Sequence, residues 1–194
     1  ALGGAGDPGS VVARQLAYWR EQLAGLPDVL NLPADHRRPK VASYHGAQVR
    51  GEVPAAVAAQ ILEVARTHDA TPFMVVHAAL AVLLARLSAT HDIAVATPIA
   101  GRGQAVLEPL VGMFVNTLVL RTQTFSGETF TEFLHAVGGV DLDAFGHSEA
   151  PFESVVEALD PVRSEAFSPL AQVLLSFDPA ASAAGADIAV GGLE

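Results

Sequence analysis

Residues 92–122 read DIAVATPIAGRGQAVLEPLVGMFVNTLVLRT, and this stretch decides the fold class. Residues 92–99 are short and apolar, the pattern of a buried strand. Residues 100–110 carry Gly101, Gly103 and Pro109 and read as a loop. Residues 111–122 form the clearest strand of the chain. On it Asn116 shares a face with Phe114, Leu118 and Leu120, because strand side chains repeat every two residues. A buried amide must find partners for both its ends. Asn116 is therefore either a structural clamp or part of the floor of a site. Arg102 stands between the two strands. By pattern it is either a surface cation or a buried guanidinium held by a carboxylate from elsewhere.

Working outward, helices flank this pair. Ser10 suits a helix N-cap, with Val12, Leu16, Trp19 and Leu23 at helical spacing and Gly25 and Pro27 ending the run. Residues 26–45 carry three prolines and read as a long irregular connection. Residues 46–53, GAQVRGEV, have the pattern of a strand. Pro54 suits a helix's first turn, with Val57, Ile61 and Val64 as its apolar stripe. His68, Asp69 and Ala70 interrupt it. Thr71 caps a second helix with Pro72 at its first position, apolar nearly all round from Phe73 to Leu87 and so buried on several sides. Downstream, Ser126-Gly127 is a turn, 128–145 a helix, Pro151 to Leu159 a short helix, and 169–177 a last strand. The organisation expected is a single α/β unit: a lead-in at 1–10, a body at 11–178 and a ragged tail at 179–194.

Composition bounds the function. The chain has 194 residues, 51% hydrophobic and 16% charged, so it is not of the disordered class. Its formal net charge of −10 makes nucleic acid a poor partner. No apolar run reaches the roughly 18 residues of a membrane span, and no secretory leader pattern opens the chain. With no Cys there is neither a thiol nucleophile nor Cys-ligated zinc; a cytoplasmic location is compatible with this. No two of the seven His stand at the i, i+4 spacing that lets one helix face hold zinc. His77 lies on the apolar helix and reads as a core histidine. Glu149 and Glu153 read as a solvated pair.

Several runs together resemble condensation domains of nonribosomal peptide synthetases. They are Thr97-Pro98-Ile99-Ala100-Gly101-Arg102; then Val111-Gly112-Met113-Phe114-Val115-Asn116-Thr117-Leu118 with Arg121; then His147-Ser148-Glu149-Ala150-Pro151-Phe152-Glu153; then Arg163 through Pro169 and Leu170, followed by Gln172-Val173. Tyr18-Trp19 and Leu32-Pro33-Ala34-Asp35 also fit. The resemblance covers about residues 10–178. Ser164, Ala166, Phe167 and Ser168 depart from the family's last motif, and its catalytic HHxxxDG is absent from this sequence.

The resemblance implies a chloramphenicol acetyltransferase-like fold: two α/β lobes in a V with a tunnel between them. This chain is expected to be the C-terminal lobe, a mixed sheet flanked by helices and incomplete at both ends. Such domains form an amide between donor and acceptor thioesters on phosphopantetheine arms. The implied partners are the N-terminal lobe, peptidyl carrier proteins and an adjacent adenylation domain, with no cofactor bound directly. In the family, Arg102's counterpart pairs with the Asp of HHxxxDG. Arg102, Asn116 and Arg163 are then expected to support the active site, with no catalytic residue on this chain. A noncatalytic docking or recruitment lobe and an epimerisation-type relative are the alternatives.

Overall fold

The computed structural model describes residues 9–101 and 109–178. Among these residues five helices and two strands occur in the order α1 (Val11–Gln22), α2 (Ala55–Thr67), α3 (Pro72–Ser88), β1 (Asp92–Ile99), β2 (Asn116–Gln123), α4 (Phe130–Gly146) and α5 (Phe152–Leu159).

Local chemistry sets the helix starts. The Ser10 hydroxyl accepts the Ala13 N–H at 3.1 Å, satisfying a donor that the first turn leaves free. Thr71 accepts from Met74 N at the start of α3, with Pro72 just inside. Thr129 and Glu132 form a reciprocal cap on α4: Thr129 accepts the Glu132 N–H, and Glu132 accepts the Thr129 N–H at 2.8 Å. Pro54 and Pro151 serve as N-caps of α2 and α5, one position outside the first turn. α2 and α3 meet at a bend of 106°, where Asp69 takes a φ of 51°.

β1 and β2 pair antiparallel in a register that sets Val95 opposite Leu120 and Ile99 opposite Asn116. Residues 93–97 are buried throughout, so β1 is covered on both faces. On β1's other side the sheet gains one parallel bridge, Ala96 to Leu174. Ala96 N–H donates to Val173 O, and Leu175 N–H donates to Ala96 O, both at 2.8 Å. The mixed sheet is thus a two-stranded antiparallel ladder with a single parallel contact.

Apolar side chains fill the interior in two clusters. Leu16, Trp19, Leu118, Leu120 and Val155 join α1, β2 and α5. Met74, Val75, Ala78, Ile93, Val95, Leu134 and Val137 join α3, β1 and α4. His77 is fully buried in the second region, as a core histidine.

Four sequence expectations are corrected. Residues 46–53 form no strand; they lie exposed, and none of their backbone groups bonds to another described residue. The strand expected over 111–122 starts only at Asn116, because β1 ends opposite it at Ile99 and offers no ladder beyond. The strand expected over 169–177 shrinks to one bridge, since a tight turn at Leu170 and the side-chain ties of Gln172 hold the segment off the ladder. α3 is buried on one side only: Leu83 and Leu87 are exposed, because neighbours cover the face of Met74, Ala78 and Ala81. The lead-in at 1–8, Arg102 and the tail from 179 lie outside the described residues.

Candidate functional site

The motif residues converge at one end of the sheet, and Asn116 is the joint. β2 begins there, opposite the last residue of β1. Its Nδ2 donates to Ser148 O at 3.0 Å and Ala150 O at 2.9 Å. Its Oδ1 accepts from Phe152 N at 3.0 Å and Thr117 N at 2.9 Å. One half-buried amide therefore uses both donors and both lone pairs. It fixes the 148–152 corner, and with it Pro151, Phe152 and Glu153, to the mouth of the sheet.

Gly101 follows from the same geometry. It takes a φ of 60°, and a Cβ there would collide with Phe114 O. Only glycine permits the chain leaving β1 to pass so close to the chain approaching β2. Phe114 is half-buried, while Val111, Met113 and Val115 are exposed in the approach to β2. Gly112 borders the Phe114 ring, and Thr117 pairs with Pro98.

α1 closes the corner from the other side. Trp19 Nε1 donates to His147 O at 2.9 Å. The Tyr18 ring stacks on the His147 ring with centroids 3.8 Å apart. His147 Nδ1 lies 2.7 Å from Asp143 O; a carbonyl only accepts, so Nδ1 carries the proton. His147 is thereby a packing piece. Burial, with a smaller contribution from Asp143, raises the Tyr18 phenol to about 12.

The remaining motif residues divide. Arg163 is exposed and borders a groove of about 510 Å³ with Phe152, Glu153, Val156 and Pro169; no ion pair holds it among the described residues. Leu170 is buried with a φ of 64°, between Pro169 O and the Ala171 N–H that donates to it at 2.8 Å. This is a γ-turn, a strained geometry for a side chain of this size. Gln172 spans the turn: its Oε1 accepts from Leu30 N, and its Nε2 donates to Asp28 O and Ser168 O.

Two polar pairs went unrecognised in the sequence. Arg121 makes a fork to Asp92, at 2.8 and 2.7 Å, and its Nη1 donates to Gln22 O and Ala24 O. Asp92 reaches Arg121 from the neighbouring strand. Opposite charges at facing strand ends were the available signal. His77 Nδ1 meets Asp141 Oδ1 at 2.9 Å, with both side chains fully buried. Burial raises the Asp141 carboxyl above its usual range, opposed by His77. The site as a whole positions backbone and offers a shaped, partly apolar surface, with no described nucleophile–base pair at its mouth.

The Condensation domain family profile matches residues 9–187. A probable non-canonical nonribosomal peptide synthetase, CymA, of Salinispora arenicola is 51% identical over 91% of this chain and 2% of its own length. The chain spans between 2% and 7% of the length of the curated relatives it matches. Among solved structures, a four-domain nonribosomal peptide synthetase bound to AMP and glycine superposes with a TM-score of 0.85. It is 28% identical, over 90% of this chain and 13% of that one. The X-domain from teicoplanin biosynthesis, solved alone and in complex with OxyB, gives a TM-score of 0.82. It is 30% identical, over 87% of this chain and 37% of that one.

Proposed function

The chain belongs to the condensation-domain family of nonribosomal peptide synthetases, and on that premise we propose that it is the C-terminal lobe of such a domain, one wall of a tunnel in which an amide bond forms. Two acyl thioesters enter on phosphopantetheine arms, each borne by a carrier protein. The acceptor amine attacks the donor carbonyl; the C–N bond forms, the C–S bond breaks, and the thiol leaves with the proton. Orientation of the two arms is the main contribution, and in favourable intramolecular cases it supplies about 7–11 kcal/mol.

The Asn116 joint is the observation that carries this reading. It builds two separate motif runs, 111–121 and 147–153, into one hydrogen-bonded unit at the sheet mouth. In this reading Asn116 and Gly101 hold the floor, Arg163 lies where a second lobe or a carrier meets it, and Arg102 is the residue that the family resemblance pairs with the Asp of HHxxxDG. The base or positioning His comes from the other lobe: His77 is buried with Asp141, and His147 is stacked on Tyr18. An adenylation domain is the neighbour that loads the carrier, in the cytoplasm. Among the described residues no single helix is long and apolar enough to cross a membrane.

A second reading is favoured by the likeness to the X-domain, which has been solved in complex with OxyB: a noncatalytic lobe of a recruitment domain. The same assay separates the two. Donor- and acceptor-loaded carrier proteins are mixed with this chain, with and without the N-terminal lobe, and dipeptidyl thioester is followed by mass spectrometry. The peptide-forming reading expects no product above the blank from the chain alone and product when the lobe is added. Product from the chain alone that survives His→Ala at all seven positions overturns it. No product with the lobe present favours recruitment.

A further inference from the structure

Residues 46–53 carry the alternation of a strand without the strand. Val49 and Val53 fall on one parity, with Ala47 and Gly51; Gln48, Arg50 and Glu52 fall on the other. That is the pattern of a half-buried edge strand, apolar inward and charged outward. Yet every residue from 46 to 53 is exposed, Val49 at 96% and Val53 at 64%. None of their backbone groups bonds to another described residue. The segment is held at both ends. Upstream, Ala42 N–H donates to Glu165 O at 2.8 Å, and Tyr44 turns the chain with a φ of 55°. Downstream, Pro54 caps α2.

Among the described residues the sheet leaves this segment unused. β1 already has β2 on one side and the Leu174 bridge on the other.

We infer that residues 46–53 are a donated strand, which completes itself by adding to the edge of a sheet in the lobe that this chain lacks. This rests on the two-lobed reading above. The occupant follows from size and layering. The chain spans 37% of the X-domain and 41% of another solved condensation domain, at TM-scores of 0.82 and 0.65, so most of a domain of this kind lies outside it. A second copy of the chain is a poor occupant. Two such segments pair only into an isolated two-stranded ribbon, which is marginal in water and has no layer to cover Val49 and Val53. An edge of a larger sheet, with helices behind it, offers both the ladder and the cover.

The test uses hydrogen–deuterium exchange on the intact two-lobed domain and on this chain alone. In the chain alone the amides of 46–53 exchange at the rate of an unstructured peptide. In the domain, amides of one parity slow by about 100-fold or more, because an added strand pairs along one edge. Val49→Pro and Arg50→Pro give the second readout. Neither residue makes a hydrogen bond to another described residue, so both variants are expected to keep the fold. One of the two, the one whose N–H enters the ladder, weakens binding of the separately produced lobe by roughly tenfold or more. Fast exchange throughout 46–53 in a domain whose lobes do associate overturns the inference and leaves the two-lobed reading standing. Lobes that fail to associate overturn both. Protection in the chain alone, with a dimer in sedimentation, overturns it in favour of a second copy.

Discussion

Asn116 spends all four of its hydrogen-bonding positions on the 148–152 corner and on Thr117. Asn116→Ala leaves those carbonyls and amides without partners, and it is expected to lower unfolding free energy in urea by roughly 1–3 kcal/mol. Asn116→Asp should do at least as much harm, since it turns two donors into an oxygen facing two carbonyls. Tyr18 gives the opposite case. Its hydroxyl is buried without a hydrogen-bond partner among the described residues, while its ring supplies the stack on His147. Tyr18→Phe keeps the ring and should be neutral or stabilising at neutral pH. It should also change the alkaline limb. Burial first, then Asp143, raises the folded phenol from 10.0 to about 12. The unfolded chain therefore loses this proton first, so the contribution is fully present below pH 10.0 and is lost as pH rises towards about 12. A urea midpoint that falls between these pH values in the wild type should fall less in Tyr18→Phe.

At the scale of elements, polar pairs fix how helices and strands cross. His77 and Asp141 pin α3 to α4 from fully buried positions, and His77 Nε2 and Asp141 Oδ2 have no partner among the described residues. Removing one member of such a pair costs about 3–5 kcal/mol, whereas replacing both with apolar groups of similar size is often neutral. The double variant His77→Leu/Asp141→Leu is therefore expected to be more stable than Asp141→Leu alone by thermal melting. Arg121 ties β1, β2 and the end of α1 through a planar fork and two carbonyls. Lys cannot copy the fork. Arg121→Lys should recover less than half of the stability lost in Arg121→Ala. Equal stability of the Lys variant and the wild type would show that charge alone suffices there.

For the molecule as a whole, Val111, Met113 and Val115 on the approach to β2 stand exposed at 102%, 89% and 55%, beside the Asn116 joint. Contiguous exposed apolar surface seeks a partner. The chain alone should self-associate, and Val111→Glu/Met113→Glu should reduce this without lowering the melting temperature, because neither side chain is packed. The net charge of −10 opposes association, so added salt should strengthen it through screening. Sedimentation velocity at two salt concentrations reads both effects; a compact monomer at high protein concentration in high salt would count against them.

The sequence by itself determined the helices, because caps and 3.6-residue periodicity are local: Ser10 and Thr71 start α1 and α3 where the pattern says. It also determined β1, whose run is short and mostly apolar, and through its motif runs it pointed to the family. Tertiary structure decided the sheet. Residues 46–53, 111–115 and 169–177 have strand chemistry, but a strand exists only where a neighbour offers a ladder, and that neighbour is remote in the chain. It decided equally that Arg121 takes Asp92, that His77 takes Asp141, and that one amide at Asn116 gathers a corner more than thirty residues away. These are matters of distance in space, set by packing of the whole chain, and spacing along the sequence does not encode them.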